Sequence, residues 1–284
     1  VDFLILQILN GLSFAMLLFL VASGLSLIFG LMGLVNLAHG SFYLIGAYIA
    51  LTVVNRTDNF LYGLLSAVML VPVLGMVIER FFLHRFAGSE LAQVLLTFGF
   101  IFILGDACLW IWGGLPQSLP KPEFLSRSLF LGDIVFPSYR LFMIVAGCLV
   151  GLCLWLFLEK TNVGAMVRAG VDNPEMASAV GVNVPLLFTA VFALGTFLSA
   201  LAGVLGGPFV GVYPGADLDI LLLALVIIII GGQGSLKGAF VGSLIVGMLD
   251  NFGKALFPEL SLFSIFAPMA IILAVRPQGL FGVK

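Results

Sequence analysis

The chain has 284 residues, of which 62% are hydrophobic and 9% charged, with a net charge of −2. A soluble domain is about 25% charged, so this chain cannot cover its surface with charge, and lipid must be its solvent. The charge balance leaves no basic face for nucleic acid, and the lack of alternating apolar and polar positions argues against an outer-membrane barrel.

A membrane span needs about 20 apolar residues. Nine runs come near that length, at roughly 3–22, 24–54, 60–79, 91–112, 139–158, 185–206, 217–231, 238–256 and 262–276. The expected fold is an all-α integral membrane protein. It forms one transmembrane domain over 1–284, a bundle of about 8–9 helices with a broken or re-entrant segment near 33–40. The first run has no basic flank and no small-residue cleavage site, so it does not read as a cleavable signal.

The second run is too long for one simple span. Asn36, His39 and Ser41 sit near its middle, with glycines at 24, 30, 33, 40 and 46. Hydrocarbon does not tolerate loose backbone or unpaired polar groups, so this stretch points to a protein-lined cavity or pathway. Half-helix ends there would suit the carboxylate and ammonium of a zwitterion. Asn36 and His39 could equally cap a helix end near the membrane surface.

Arg80 with Arg85, Lys160 with Arg168, Lys237, and Arg276 with Lys284 fall on one side when crossings are counted. Positive residues favour the cytoplasm, which puts the N-terminus outside and residues 33–40 toward the cytoplasmic mouth. That position favours a gate over a central binding pocket. Among the connections, 113–138 carries Pro116, Pro120, Pro122 and Pro137 and is expected to be an irregular external loop. Inside the spans, Thr97, Asp106 and Ser199 are the other polar residues that stand out, with Asp106 near the external end. Cys108, Cys148 and Cys153 lie in apolar runs and read as packing residues.

Residues 159–184 form the longest cytoplasmic segment. Asn173 can cap a helix, Pro174 suits its first turn, and Glu175 suits its positive end. Met176 to Val180 would continue that helix and Gly181 would end it. Ala177 and Ala179 would give it a small, closely approachable surface, and its shape fits a knob for a partner's groove and an ordinary capped connector equally.

TNVGAMVRAGVDNPEMASAVGV in this segment resembles the cytoplasmic loop of inner-membrane permeases of the branched-chain amino acid ABC importer family, H-type subunit. GLMGLVNLAHGSFYLIGAY, GGQGSLKGAFVGSLIVG and RPQGLFG are similar to the same family, in the same order. The family also includes permeases for urea, short amides and other amino acids. The resemblance implies a multi-pass protein of the bacterial inner (plasma) membrane. It also implies a companion permease, two ATPase subunits and a periplasmic or extracellular solute-binding protein. Arg168, Asn173, Glu175, Ala177 and Gly181 would form the coupling surface for the ATPase. Asn36, His39, Gly40, Ser41, Gly232 and Gln233 would line the pathway or its gate.

No phosphate loop is present, since Lys237 in GGQGSLKG has Leu before it and Gly after it. ATP and Mg are therefore expected on partner subunits, with no cofactor, metal or catalytic residue in this chain. A self-sufficient secondary transporter is the competing class, and the scarcity of intramembrane carboxylates counts against it. An integral membrane enzyme would need a nucleophile–base pair, and none stands out.

Overall fold

The computed structural model describes residues 2–86, 88–131 and 134–282. Lys284, counted above in the C-terminal tail, lies outside them, as do Gly132 and Asp133 of the external connection. The helices in chain order are α1 (Asp2–Met32), α2 (His39–Thr57), α3 (Phe60–Phe81), α4 (Glu90–Trp112), α5 (Ser138–Lys160), α6 (Asn162–Asp172), α7 (Pro174–Ala179), α8 (Val184–Val210), α9 (Ala216–Gly231), α10 (Leu236–Leu256) and α11 (Ser261–Val275). The chain is an all-α polytopic membrane protein. Among the described residues, 7 segments are long and apolar enough to cross a membrane, and they contain α1, α3, α4, α5, α8, α10 and α11. Helices α2 and α9 account for the other two hydrophobic runs. At 16 residues, α9 is about 24 Å long and too short to cross a ~30 Å hydrocarbon layer.

One boundary differs from the sequence reading. Helix α1 continues through residue 23 to Met32. Ser23 turns its hydroxyl back to Leu20 O at 2.9 Å, which leaves the helix ladder intact. Gly24 serves close packing: a Cβ there would stand 2.7 Å from Gly195 O. The break occupies 33–38 instead. Gly33, at φ 63°, closes α1 by donating its N–H to Phe29 O at 2.8 Å.

The bundle is organised around α1, which packs on α5, α8, α9 and α10, while α8 also packs on α2 and α3. Without a hydrophobic drive between helices in lipid, close backbone approach supplies the packing energy. Gly247 meets Ala15 and Gly46 meets Ala200 at distances that leave no room for a Cβ. Outward faces of α4, α5 and α11 expose Phe98, Phe102, Leu149, Leu152, Phe263 and Ile271, as helices solvated by lipid do.

Connections at the two ends contain more structure than the sequence indicated. The 113–138 loop holds a hairpin, β1 (Ser128–Leu131) and β2 (Ile134–Pro137), paired antiparallel. Gln117 and Val212 exchange backbone hydrogen bonds of 2.8 Å, so the loop is tied to the α8–α9 connection. At the opposite end, Thr161 Oγ1 accepts from Gly164 N at 3.0 Å and starts α6, a helix not foreseen in the 159–184 segment. The RPQGLFG motif acquires a local role. Leu280 and Phe281 donate their N–H groups to Ile230 O and Gly231 O at 2.9 and 2.8 Å, satisfying carbonyls that the end of α9 would leave open.

Candidate functional site

The break begins at one end of the bundle and finishes in its interior. Leu31 packs with Val167 and Leu187 beside α6 and the start of α8. The chain then turns back along α1. His39 Nε2 donates to Val21 O at 3.1 Å, since a carbonyl can only accept. Val21 precedes Met32 by 11 residues, roughly 16 Å along the axis. The polar residues from His39 on thereby lie beside the middle of α1 and α8 and not at the end of α1. The cause is the extra length of α1, which carries the chain past them before it returns.

Several groups at the break find partners on neighbouring elements. Asn36 Oδ1 accepts from Ala38 N at 3.1 Å in a tight Asx turn. Leu37 N donates to Thr97 Oγ1 of α4 at 3.3 Å. Ser199 of α8 donates its hydroxyl to His39 O at 2.8 Å. Ser41 donates to Asp217 Oδ2 of α9 at 3.3 Å. Gly40 allows this crossing, since a Cβ there would stand 2.1 Å from Asp217 O. Asn36, His39, Gly40 and Ser41 thus form one buried cluster joining α1, α2, α4, α8 and α9. Asn36 Nδ2 and His39 Nδ1 stay buried with no hydrogen-bond partner. Unsatisfied buried groups cost roughly 1–3 kcal/mol each, so two in one cluster call for an explanation beyond folding.

Gly232 and Gln233 sit apart from that cluster, in the α9–α10 turn. Gly232 is needed at φ 102° against the Phe281–Gly282 backbone. Gln233 is exposed and lines a cavity of about 230 Å³ with Leu25, Phe29, Val35, Leu225, Ile228 and Ile229. The cavity reaches the break at Val35, and Asn36, His39, Gly40 and Ser41 do not line it.

The 159–184 segment has the expected cap and stop. Asn173 Oδ1 accepts from Met176 N at 2.9 Å, and Gly181 sits at φ 93° beyond α7. Its outward face is different, however. Ala177 points inward and is 3% exposed, whereas Met176 and Val180 are 64% and 76% exposed. Glu175 is also exposed. Arg168 reaches Glu159 at 3.9 Å between half-exposed side chains, a pairing worth little in solvent.

The spans bury more carboxylates than the sequence indicated. Glu79, Asp217 and Asp250 are 0%, 4% and 6% exposed. Asp250 pairs with Lys254 at 2.8 Å, Asp217 accepts from Ser41, and Glu79 Oε2 accepts from the Thr189 hydroxyl. Glu79 and Asp217 lie in terminal turns of apolar runs, where a charge ordinarily reaches water, and Asp250 lies farther inside α10. Only the pairing of helices shows that they do not.

Residues 7–275 match the family described as branched-chain amino acid transport system / permease component. The chain is 26% identical to the high-affinity branched-chain amino acid transport system permease protein BraD of Pseudomonas aeruginosa, over 97% of this chain and 95% of BraD. It is 28% identical to LivH of Salmonella typhimurium, a permease of the same description, over 97% of this chain and 94% of LivH. It is also 28% identical to a probable branched-chain amino acid transport permease protein LivH of Methanocaldococcus jannaschii, over 94% and 89%. A match across nearly all of the chain shows that this multi-pass membrane protein belongs to the branched-chain amino acid transport system permease family.

Proposed function

We propose that the chain is a permease subunit of an ATP-driven importer. It moves branched-chain or other hydrophobic amino acids across the inner membrane by alternating access. A solute-binding protein delivers substrate at the hairpin end. A companion permease completes the pathway, and two ATPase subunits bind ATP and Mg and dock at the α6–α7 end. The observation that carries this reading is α7. It is a capped helix outside the apolar spans that exposes Met176 and Val180 and joins directly to α8. Within the pathway, the buried Asn36–Ser41 cluster is the narrow point, and its two unpartnered nitrogens are donors or acceptors available to substrate or to a second conformation.

Met176→Asp combined with Val180→Asp tests the docking role. Both side chains are exposed, so the permease is expected to accumulate normally. Co-purification of the ATPase subunits is expected to fall at least tenfold, about 1.4 kcal/mol or more. Unchanged recruitment, with uptake intact after Arg168 and Glu175 are also replaced, would remove α7 from the coupling surface.

Asp217 favours a second reading, a self-sufficient transporter, because buried intramembrane carboxylates serve proton and sodium coupling. Uptake by this chain alone under an ion gradient would select it. Permeation of urea or short amides remains the alternative within the same family, and ligand binding by the partner solute-binding protein separates the substrates.

A further inference from the structure

Glu79 is the place where the structure carries a cost with no structural return. It lies in the last turn of α3, fully buried, in a chain with few charges. A buried carboxylate needs an opposite charge or several donors to offset its lost hydration. Glu79 has one donor, the Thr189 hydroxyl of α8. Its other oxygen, Oε1, has no hydrogen-bond partner and faces His84 Nδ1, which has none either, across 3.7 Å. That gap is too long for a hydrogen bond. The two groups thus face each other without a hydrogen bond, at ion-pair distance if His84 is protonated, with His84 in a turn (Leu83–Phe86) directly after α3.

Thr189 sits on a lever. Helix α7 ends in a Schellman arrangement: Val182 N donates to Ala177 O and Gly181 N to Ser178 O, both at 3.0 Å. One residue later, Asn183 caps α8 by accepting from Leu186 N at 3.1 Å. Helices α7 and α8 are therefore joined through consecutive hydrogen-bonded caps with few soft torsions. A push on α7 reaches the first turns of α8, where Thr189 is. Farther along, α8 is held to α3 by close contact, since a Cβ on Gly75 would stand 2.5 Å from Thr196 Oγ1. In front of the Thr189 contact, an open groove of about 730 Å³, lined by Arg80, His84, Asn183 and Thr189 among others, leaves the start of α8 room to move.

We propose that Glu79 is a positioning residue that latches α8 to α3 and exchanges Thr189 for His84 when ATPase docking displaces α7. In the conformation described here Oε2 holds Thr189. When α8 shifts, Oε1 closes on His84 Nδ1, so the carboxylate keeps one partner in each state. A two-state element of this kind transmits movement because packed interfaces switch between discrete arrangements and do not deform continuously. The proposal rests on the importer reading, as it needs a partner acting on α7.

The test uses the assembled complex in proteoliposomes, with substrate uptake and ATP hydrolysis measured in the same preparation. Glu79→Gln, Thr189→Val and Thr189→Ser are compared. Thr189→Val keeps the shape of a partly exposed side chain, so it holds the fold if Glu79→Gln does not. Expected are normal ATPase recruitment, hydrolysis no longer stimulated by the loaded binding protein, and about tenfold less uptake per ATP in the Gln and Val variants. Thr189→Ser keeps the hydroxyl and is expected to restore coupling. Wild-type coupling in both the Gln and Val variants would overturn the latch, as would loss of assembly in both, which would make the contact merely structural. A wild-type complex that recruits no ATPase would overturn the importer reading and the latch with it.

Discussion

Gly40→Val is expected to abolish accumulation of folded protein in the membrane. An ideal Cβ at this position lies 2.1 Å from Asp217 O and 3.0 Å from Leu221 Cβ. The first of these is backbone in the opening turn of α9, so no side chain can rotate away. Relief would require α9 to withdraw from α2, which would break the Ser41–Asp217 hydrogen bond and leave a buried carboxylate unpaired. Overpacking a core costs about 1–3 kcal/mol when side chains can adjust, and losing the hydrogen bond to a buried carboxylate adds about 1.5–3 kcal/mol. Together these approach the lower end of the stability of a typical domain. Gly33→Asn is the control. Gly33 has nothing within 4 Å of its Cβ position, and Asn tolerates its φ of 63°. The measure is monodisperse protein extracted from membranes. Near-normal yield for Gly40→Val would contradict the packing of α2 on α9.

The second large effect is expected at Asn36, on transport and not on yield. Its Oδ1 accepts from Ala38 N and so shapes the turn, while Nδ2 has no partner. The two halves of the amide can be separated. Asn36→Ala removes both. Asn36→Ser retains a hydroxyl acceptor able to form a weaker local turn but lacks the amide donor. If Nδ2 serves the pathway, both variants assemble with their partners and both lose uptake at least tenfold. If Asn36 only shapes the turn, Ser restores uptake and Ala does not. Substrate-dependent ATP hydrolysis and uptake, measured on complexes of equal yield, distinguish these outcomes.

Much of this architecture was legible in the sequence, because lipid imposes length and apolarity on every span. The nine runs cover nine helices, although the second, 24–54, takes in the last turns of α1 as well as α2, and the polar residues near 33–40 do mark a break. The boundary at residue 23 was misread because Ser23 and Gly24 look like helix breakers. Ser23 satisfies itself within the helix, and Gly24 is small because Gly195 and the His39 ring press against it. In α7, six residues are too few to show which face turns inward. Ala177 turned out to be the inward residue, with Met176 and Val180 outward. Glu79 and Asp217 look like ordinary helix-end charges. Their partners, Thr189 and Ser41, are 110 and 176 residues away, a distance that no local pattern spans.

The account's central claim is that ATP bound by partner subunits drives amino-acid movement through this chain. The most direct measurement is uptake of radiolabelled leucine into proteoliposomes. It requires this permease, its companion, the two ATPase subunits and the loaded solute-binding protein. Uptake is expected to require ATP and Mg, to fail when any one subunit is omitted, and to persist when ionophores collapse all ion gradients. Leucine uptake by this chain alone, driven by an ion gradient and indifferent to ATP, would contradict it.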